Sequence, residues 1–340
     1  MLAAKTTLQH AQSVKEYLLK HNLVHPEYGY IKEMGYIYFP LLKKAAIPKA
    51  KTVNTRFSFP ARLKPVTVTE LLRGKLTPSE LALLPQSQEI VGQILILEIP
   101  AELKLKERLI AEAYLQSHKS LITVVKKDHQ HEGEFRLRKV KVLAGKNTKE
   151  TIHHENGVQL KLHLENTYFS ARLAHERLRI AQQVKKDEEI LVMFSGAGPY
   201  LFVLVKNSPV KSIYGIEINP LAHQYALENI TLNGVQSKVM IHQGDVRTIL
   251  PKIKKIFDRI VMPLPKTGEE YLDIALTKAH TGTVIHLYAF LPEAEFKTEA
   301  QKIKKLCRQH GREIKILRSV KCGQFSPYVY RVCFDLKVLK

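Results

Sequence analysis

The sequence predicts an α/β fold: a doubly wound parallel sheet that ends in an antiparallel hairpin and follows two smaller α+β regions. Three observations carry this. From residue 190 onward, short apolar runs alternate with helical patterns, as right-handed βαβ units require. The first run ends in a glycine turn, Ser195-Gly196-Ala197-Gly198-Pro199. Two late strand patterns, Glu313–Arg318 and Tyr328–Leu336, are joined by a short loop holding Ser326-Pro327, which inserts an antiparallel strand that plain dinucleotide folds lack.

Residues 1–60 read as a small unit with a helix at Ala11–Leu19, paired strands in Tyr28–Phe39, and a linker or extended arm from Pro40 to Pro65. Residues 66–165 form a second region. There Gln93–Ile99 suits a buried strand, Ala101–Ser117 a helix and Leu121–Lys126 a strand. Thr151–His154 and Val158–Leu164 flank Asn156-Gly157, a strong hairpin signal. Residues 166–340 hold the large sheet. Its strands are Ile190–Phe194, Ile213–Glu217, Val239–His242, Asp258–Met262 and Thr283–Tyr288, and its helices Pro199–Lys206, Pro220–Leu232, Gly268–Ala279 and Ala294–His310.

Charge points to a partner. Lys plus Arg number 53 against 32 Asp plus Glu, a net charge of +21. Such an excess predicts salt-sensitive attraction to a polyanion. The bases cluster. Lys43, Lys44, Lys49, Lys51, Arg56, Arg62 and Lys64 fall in one acid-free run, and Arg136, Arg138, Lys139, Lys141, Lys146 and Lys149 in another. A third run, Lys302 to Lys321, holds the single acid Glu313. Solvated faces are the bland alternative, but ion-pair networks need both signs, so nucleic acid is favoured. No apolar run approaches a membrane span and no charged-then-apolar leader opens the chain, so an unexported, cytoplasmic protein is expected; separately, a monomer is expected. Cys307, Cys322 and Cys333 form no C-x-x-C and fit a reduced compartment; a bridge between Cys322 and Cys333 is the minor alternative. His129, His131, His153 and His154 lack further ligands at metal spacing, and no metal is expected.

Ligands of open α/β sheets sit past the carboxyl ends of the strands. Three such ends carry suitable groups here. The glycine turn offers backbone amides, Glu217 can accept both hydroxyls of a ribose, and Asp245 can accept from an exocyclic amino group. A dinucleotide fingerprint needs a third glycine where Leu201 stands, so no pyrophosphate is required. Together the three groups describe adenosine without phosphates. Taken singly, glycines mark turns and acids cap helices.

The order Gly196-Ala197-Gly198-Pro199, Ile216-Glu217-Ile218-Asn219-Pro220, Gly244-Asp245-Val246-Arg247 and Met262-Pro263-Leu264-Pro265-Lys266 resembles the class I methyltransferases that bind S-adenosylmethionine, which have a Rossmann-like sheet. More narrowly, Gly133–Arg138, Thr151–Gly157, Tyr168–Leu173 and His175–Arg177 resemble the archaeal and eukaryotic tRNA (guanine-37-N1)-methyltransferase family, and Tyr36–Pro40 resembles its small N-terminal domain. The resemblance implies S-adenosylmethionine as cofactor and tRNA as partner, gripped at the anticodon loop and the elbow. It implies Glu176 as the base for guanine N1, Arg136 as the partner of O6, and Tyr168 as a positioning group. The cofactor is expected at Phe194, Gly196, Gly198, Glu217, Asp245, Val246 and Pro263, and tRNA at Arg138, Lys139, Lys141, Arg172 and Lys266. By chemistry alone, His175 is an alternative base, Glu176 a salt-bridge partner, Arg136 a phosphate contact and Tyr168 a core residue. Two positions depart from the family pattern. Val192 replaces an Asp, and Pro263 replaces an Asn, so a backbone carbonyl of Met262 or Pro263 is expected to substitute for the lost amide. Two further readings stay open: chemistry on a wyosine-type tricyclic base at the same tRNA position, and an RNA-binding homologue without catalysis.

Overall fold

The computed structural model describes residues 1–62, 66–85, 87–128 and 137–340. They divide into two compact units, residues 1–70 and 71–340.

The first unit is a four-stranded antiparallel sheet in the order Ile31–Glu33, Tyr36–Pro40, Leu2–Thr7, Lys51–Asn54. Helix Ala11–Lys20 buries Val14 and Leu18 against Ala4, Ile37 and Phe39. The expected hairpin forms around Met34-Gly35, both at positive φ. Two strands were not legible. Leu2–Thr7 contains little β-branched sequence and owes its central place to burial of Ala3 and Ala4. Lys51–Asn54 lies inside the expected linker, where main-chain pairing with Leu2–Lys5 and the β-branched pair Thr52-Val53 make a short edge strand.

The second unit begins with a four-stranded sheet ordered Gln88–Val91, Ile94–Leu97, Thr123–Lys127, Val140–Gly145. Its expected helix divides into a 3-10 turn, Ala101–Lys106, and an α-helix, Glu107–Ser117. Next comes the hairpin Glu150–Glu155 and Val158–His163, turning on Asn156 (φ 44°) and Gly157 (φ 78°) as the Asn-Gly pair demands. Its apolar face, Val158, Leu160, Leu162 and Leu164, joins one cluster with Ile180, Val192 and Leu201, so a cut at residue 165 would divide a continuous core.

The large sheet has seven strands: β1 Glu189–Met193, β2 Ser212–Glu217, β3 Val239–Gln243, β4 Phe257–Met262, β5 Ala279–Pro292, β6 Ile314–Ser326 and β7 Val329–Val338. Their order is 3-2-1-4-5-7-6. The first five are parallel, and β7 enters antiparallel between β5 and β6, as the terminal hairpin predicts. Apolar clusters cover both faces. The order reverses beside β1, where β2 lies on one side and β4 on the other. A crevice opens at such a switch point.

Candidate active site

A cleft of about 360 Å³ lies at that point, past the carboxyl ends of β1 to β4. Its walls include Phe194, Gly196, Glu217, Asp245, Val246 and Pro263, so six of the seven residues expected at the cofactor meet there. Gly198 does not. It is the N-cap of helix Pro199–Asn207 with φ 87°, and a Cβ there would meet the Phe202 ring at 2.3 Å. Its glycine serves the turn and the packing of Phe202 rather than the cleft.

Each wall group has a local cause. Glu217 ends β2 and is buried, accepting from the Gly196 amide at 2.6 Å and the Asn219 amide at 2.8 Å. Burial raises its pKa, opposed by those amide donors. The carboxylate thus ties the glycine turn to the second loop while keeping lone pairs for a ligand. Asn219 caps the next helix through Leu221 and Ala222 and donates to Asn166 O at 2.9 Å. Asp245 caps the short helix Val246–Ile249 by accepting from Arg247 N at 2.7 Å. The Met262 carbonyl accepts from Leu264 N at 2.8 Å, which folds Pro263 into a tight turn against the cleft. Val192 is buried in the core and is not a wall residue.

Several wall residues were not legible: Tyr200, Tyr271, Tyr288 and Arg331 come from four separate elements. Only Tyr200 lies near a motif. Phe194 meets Tyr271 edge-on at 4.9 Å. Tyr168 lines the cleft, and its hydroxyl accepts from Arg331 Nη2 at 2.7 Å.

Glu176 lies behind the wall. It is 5% exposed and pairs with Arg179 through both carboxylate oxygens, at 2.6 and 2.8 Å. Tyr288, which is a wall residue of the cleft, donates through its hydroxyl to Glu176 Oε1 at 2.7 Å and accepts from Tyr200 at 2.9 Å. His175, the alternative base, faces solvent. Arg136 lies outside the described residues, as do His129, His131 and Lys64. The segments Thr151–Gly157 and His175–Arg177 meet directly. Arg177 holds Glu155 in a buried bidentate pair at 2.5 Å, and Asn156 donates to Ala174 O at 2.8 Å.

Behind Glu176 the polar chain continues. Arg179 also grips Asp335, Asp335 accepts from His286 Nδ1 at 2.6 Å, and His286 Nε2 lies 2.7 Å from Arg259 Nη1. A guanidinium can only donate, so Nε2 accepts and His286 is the neutral Nδ1–H tautomer. His286, Cys333 and Asp335 come within metal-ligand range of one another. Two adjacent guanidiniums and a ring whose nitrogens are both engaged suit a buried ion network instead. All three cysteines are free thiols.

The residues expected at tRNA divide. Lys139, Lys141, Arg172 and Lys266 are exposed. Arg138 is corrected. It is 5% exposed and engaged by Glu89 at 3.0 Å and by Phe169 O at 2.8 Å, so it is a paired, buried side chain rather than a free surface cation. The second basic run is partly neutralised in space, because Lys141 pairs with Glu107 and Lys149 with Glu165, acids that other elements supply. Lys43, Lys44, Lys49, Lys51, Arg56 and Arg62 are all exposed. No helix among the described residues is long and apolar enough to cross a membrane.

A 3-2-1-4-5-7-6 sheet with an acid at the end of β2 and a glycine turn after β1 is a class I, S-adenosylmethionine-dependent methyltransferase architecture. Residues 151–317 match the TRM5/TYW2 methyltransferase domain and residues 68–148 the TYW2 N-terminal domain. The chain is 34% identical, over 99% of both proteins, to the tRNA (guanine(37)-N(1))-methyltransferase Trm5b of Pyrococcus abyssi. That protein's crystal structure superposes with a TM-score of 0.73, at 32% identity and full coverage of both chains. The chain is also 31% identical, over 80% of its length and 96% of the other's, to a tRNA(Phe) (4-demethylwyosine(37)-C(7)) aminocarboxypropyltransferase of Pyrococcus horikoshii. A structure of aTrm5 with tRNALeu matches at a TM-score of 0.69 and 26% identity, covering 99% of this chain and 100% of that one. The chain belongs to the TRM5/TYW2 methyltransferase family.

Proposed function

We propose that this protein methylates N1 of guanine-37 in tRNA, acting as a cytoplasmic monomer. The full-length similarity to Trm5b supports the reaction, and the aTrm5–tRNALeu structure supports tRNA as the partner. The observation that carries the reading is one buried carboxylate, Glu176, linked to the cleft by a single hydroxyl, that of Tyr288.

The cleft fits the cofactor. Glu217 would take the ribose hydroxyls and Asp245 the adenine amino group, with Phe194, Gly196, Val246 and Pro263 around them. Bound S-adenosylmethionine supplies an electrophilic methyl group. The chain's own task is the proton on guanine N1. Glu176 is its acceptor, and Tyr288 relays it: the hydroxyl takes the N1 proton as it passes its own to Glu176 Oε1. Arg179 holds the carboxylate in place from behind. Tyr168 positions the base, and Arg136 is the partner of O6. A flipped-out base is needed, because guanine stacked in a loop cannot reach the cofactor. Lys139, Lys141, Arg172 and Lys266 contribute phosphate contacts, and the exposed lysines of residues 43–51 contribute others.

A second reading is supported by the match of residues 68–148 to the TYW2 N-terminal domain and by the similarity to the Pyrococcus horikoshii aminocarboxypropyltransferase. It makes the target a wyosine-type base at the same position. Methyl transfer to transcripts carrying guanine or adenine at position 37 tests the first reading: guanine alone should accept. Equal transfer to both would remove guanine-37 as the target.

A further inference from the structure

A second cavity, about 150 Å³, opens beside the cleft and shares Tyr168 and Arg331 with it. Its outer wall is Phe325, which is 55% exposed although its ring is large and apolar. Phe325 sits where the register of β6 against β7 shifts between Gln324 and Ser326. Bulges of this kind re-aim side chains, often next to active sites. The re-aimed ring reaches over β7 to stack on Phe290 of β5, centroids 3.9 Å apart and planes 25° apart. Arg331, the β7 partner of Phe290, lies 5.1 Å from the Phe290 centroid. The same guanidinium donates to Tyr168 at the cleft wall. Phe325, Phe290 and Arg331 therefore form a layered stack whose inner end touches the cleft and whose outer ring presents an open face.

We propose that this open face of Phe325 is a stacking platform for a nucleobase next to the target in the RNA strand. The argument rests on the proposed reading of an RNA substrate. A flipped target leaves its neighbours without a stacking partner, and aromatic faces accept any base because every base has a π-face. Charge agrees: Arg172 and Arg331 border the cavity, where Glu89 is engaged by Arg138 and Lys127 by Glu98. The platform is sequence-tolerant, so it holds the loop open without reading it.

The test uses the full-length protein and anticodon-loop transcripts carrying 2-aminopurine immediately 5′ or 3′ of the target. In one of the two transcripts, binding should quench the fluorescence through stacking. Phe325→Ala should abolish that quenching and weaken transcript binding about tenfold, while Phe325→Trp should retain both. S-adenosylmethionine affinity should be the same in all three proteins, which reports an intact fold. An abasic nucleotide at the quenched position should make wild type and Phe325→Ala equal. Quenching that survives Phe325→Ala, or its absence at both positions in the wild type, overturns the platform. Because the readout is binding, it stands apart from the reaction: a wild-type protein that binds and quenches but leaves guanine-37 unmethylated would overturn the functional reading and keep the platform.

Discussion

Tyr288 and Glu176 are joined by one hydrogen bond of 2.7 Å, and that bond is the link between the buried carboxylate and the cleft. Removing the hydroxyl in Tyr288→Phe should slow single-turnover methyl transfer about tenfold or more, and Glu176→Gln on the order of a hundredfold. Cofactor affinity should be little changed in either, since the loss belongs to the transition state. The double variant should be scarcely slower than Glu176→Gln alone, because both residues serve one proton. His175→Ala should be mild, as that ring faces solvent. Rapid-quench kinetics at saturating cofactor measure all four; additive losses would separate the two residues.

Glu217 is expected to carry the ribose. Glu217→Ala should weaken S-adenosylmethionine binding by about 1.5–3 kcal/mol, the range for hydrogen bonds to a charged group. Part of that loss comes from the Gly196 and Asn219 amides, which lose their acceptor. Isothermal titration calorimetry reads the change, and an unaltered affinity would remove Glu217 from the cofactor site.

The buried network behind the site makes stability depend on pH. For Asp335, burial alone would raise the carboxyl, but hydrogen bonds from His286 and Arg179 outweigh it and hold the group well below the carboxylate range. Burial likewise lowers the pKa of His286 from its ordinary 6.5, against the pull of Asp335. Both folded-state values are depressed. The His286 contribution is therefore present above about pH 6.5 and lost as pH falls through the folded value, and that of Asp335 is lost further down. The melting temperature should fall between about pH 7.5 and 5.5. His286→Gln keeps a donor and an acceptor but cannot titrate, so it should flatten that slope even if it lowers the melting temperature throughout. An unchanged slope in scanning calorimetry would contradict the assignment.

tRNA affinity should fall steeply with potassium chloride, because about six or more phosphate contacts release counterions. The exposed bases of the first unit, led by Lys43, Lys44 and Lys49, should carry a share. Replacing those three by Ala should reduce the logarithmic salt slope by about one unit for each lysine that touches phosphate. A flat salt dependence of the wild type would refute a backbone-wide grip.

The parts of this molecule that were legible in the sequence are those set by local chemistry. Asn156-Gly157 dictates its turn, alternation places Val158 to Leu164 on one face, and acids at strand ends fall at the cleft because the sheet topology puts them there. What stayed hidden depends on partners remote in sequence. Arg138 reads as a tRNA contact until Glu89, on an edge strand 49 residues away in sequence, is seen to pair with it. Tyr288 and Arg331 both lie in plain apolar stretches, and strand order brings them to the cleft. Gly198 reads as a ligand contact because turn glycines and ligand glycines look alike until Phe202 fills the space.

The central claim is methylation of N1 of guanine-37. Nucleoside mass spectrometry of a guanine-37 tRNA transcript, incubated with the protein and S-adenosylmethionine, tests it most directly. The account predicts 1-methylguanosine, located at position 37 by nuclease mapping and absent from an adenine-37 transcript. Unmodified guanosine there, alongside methyl or aminocarboxypropyl transfer to tRNA bearing a wyosine-type base, would contradict it.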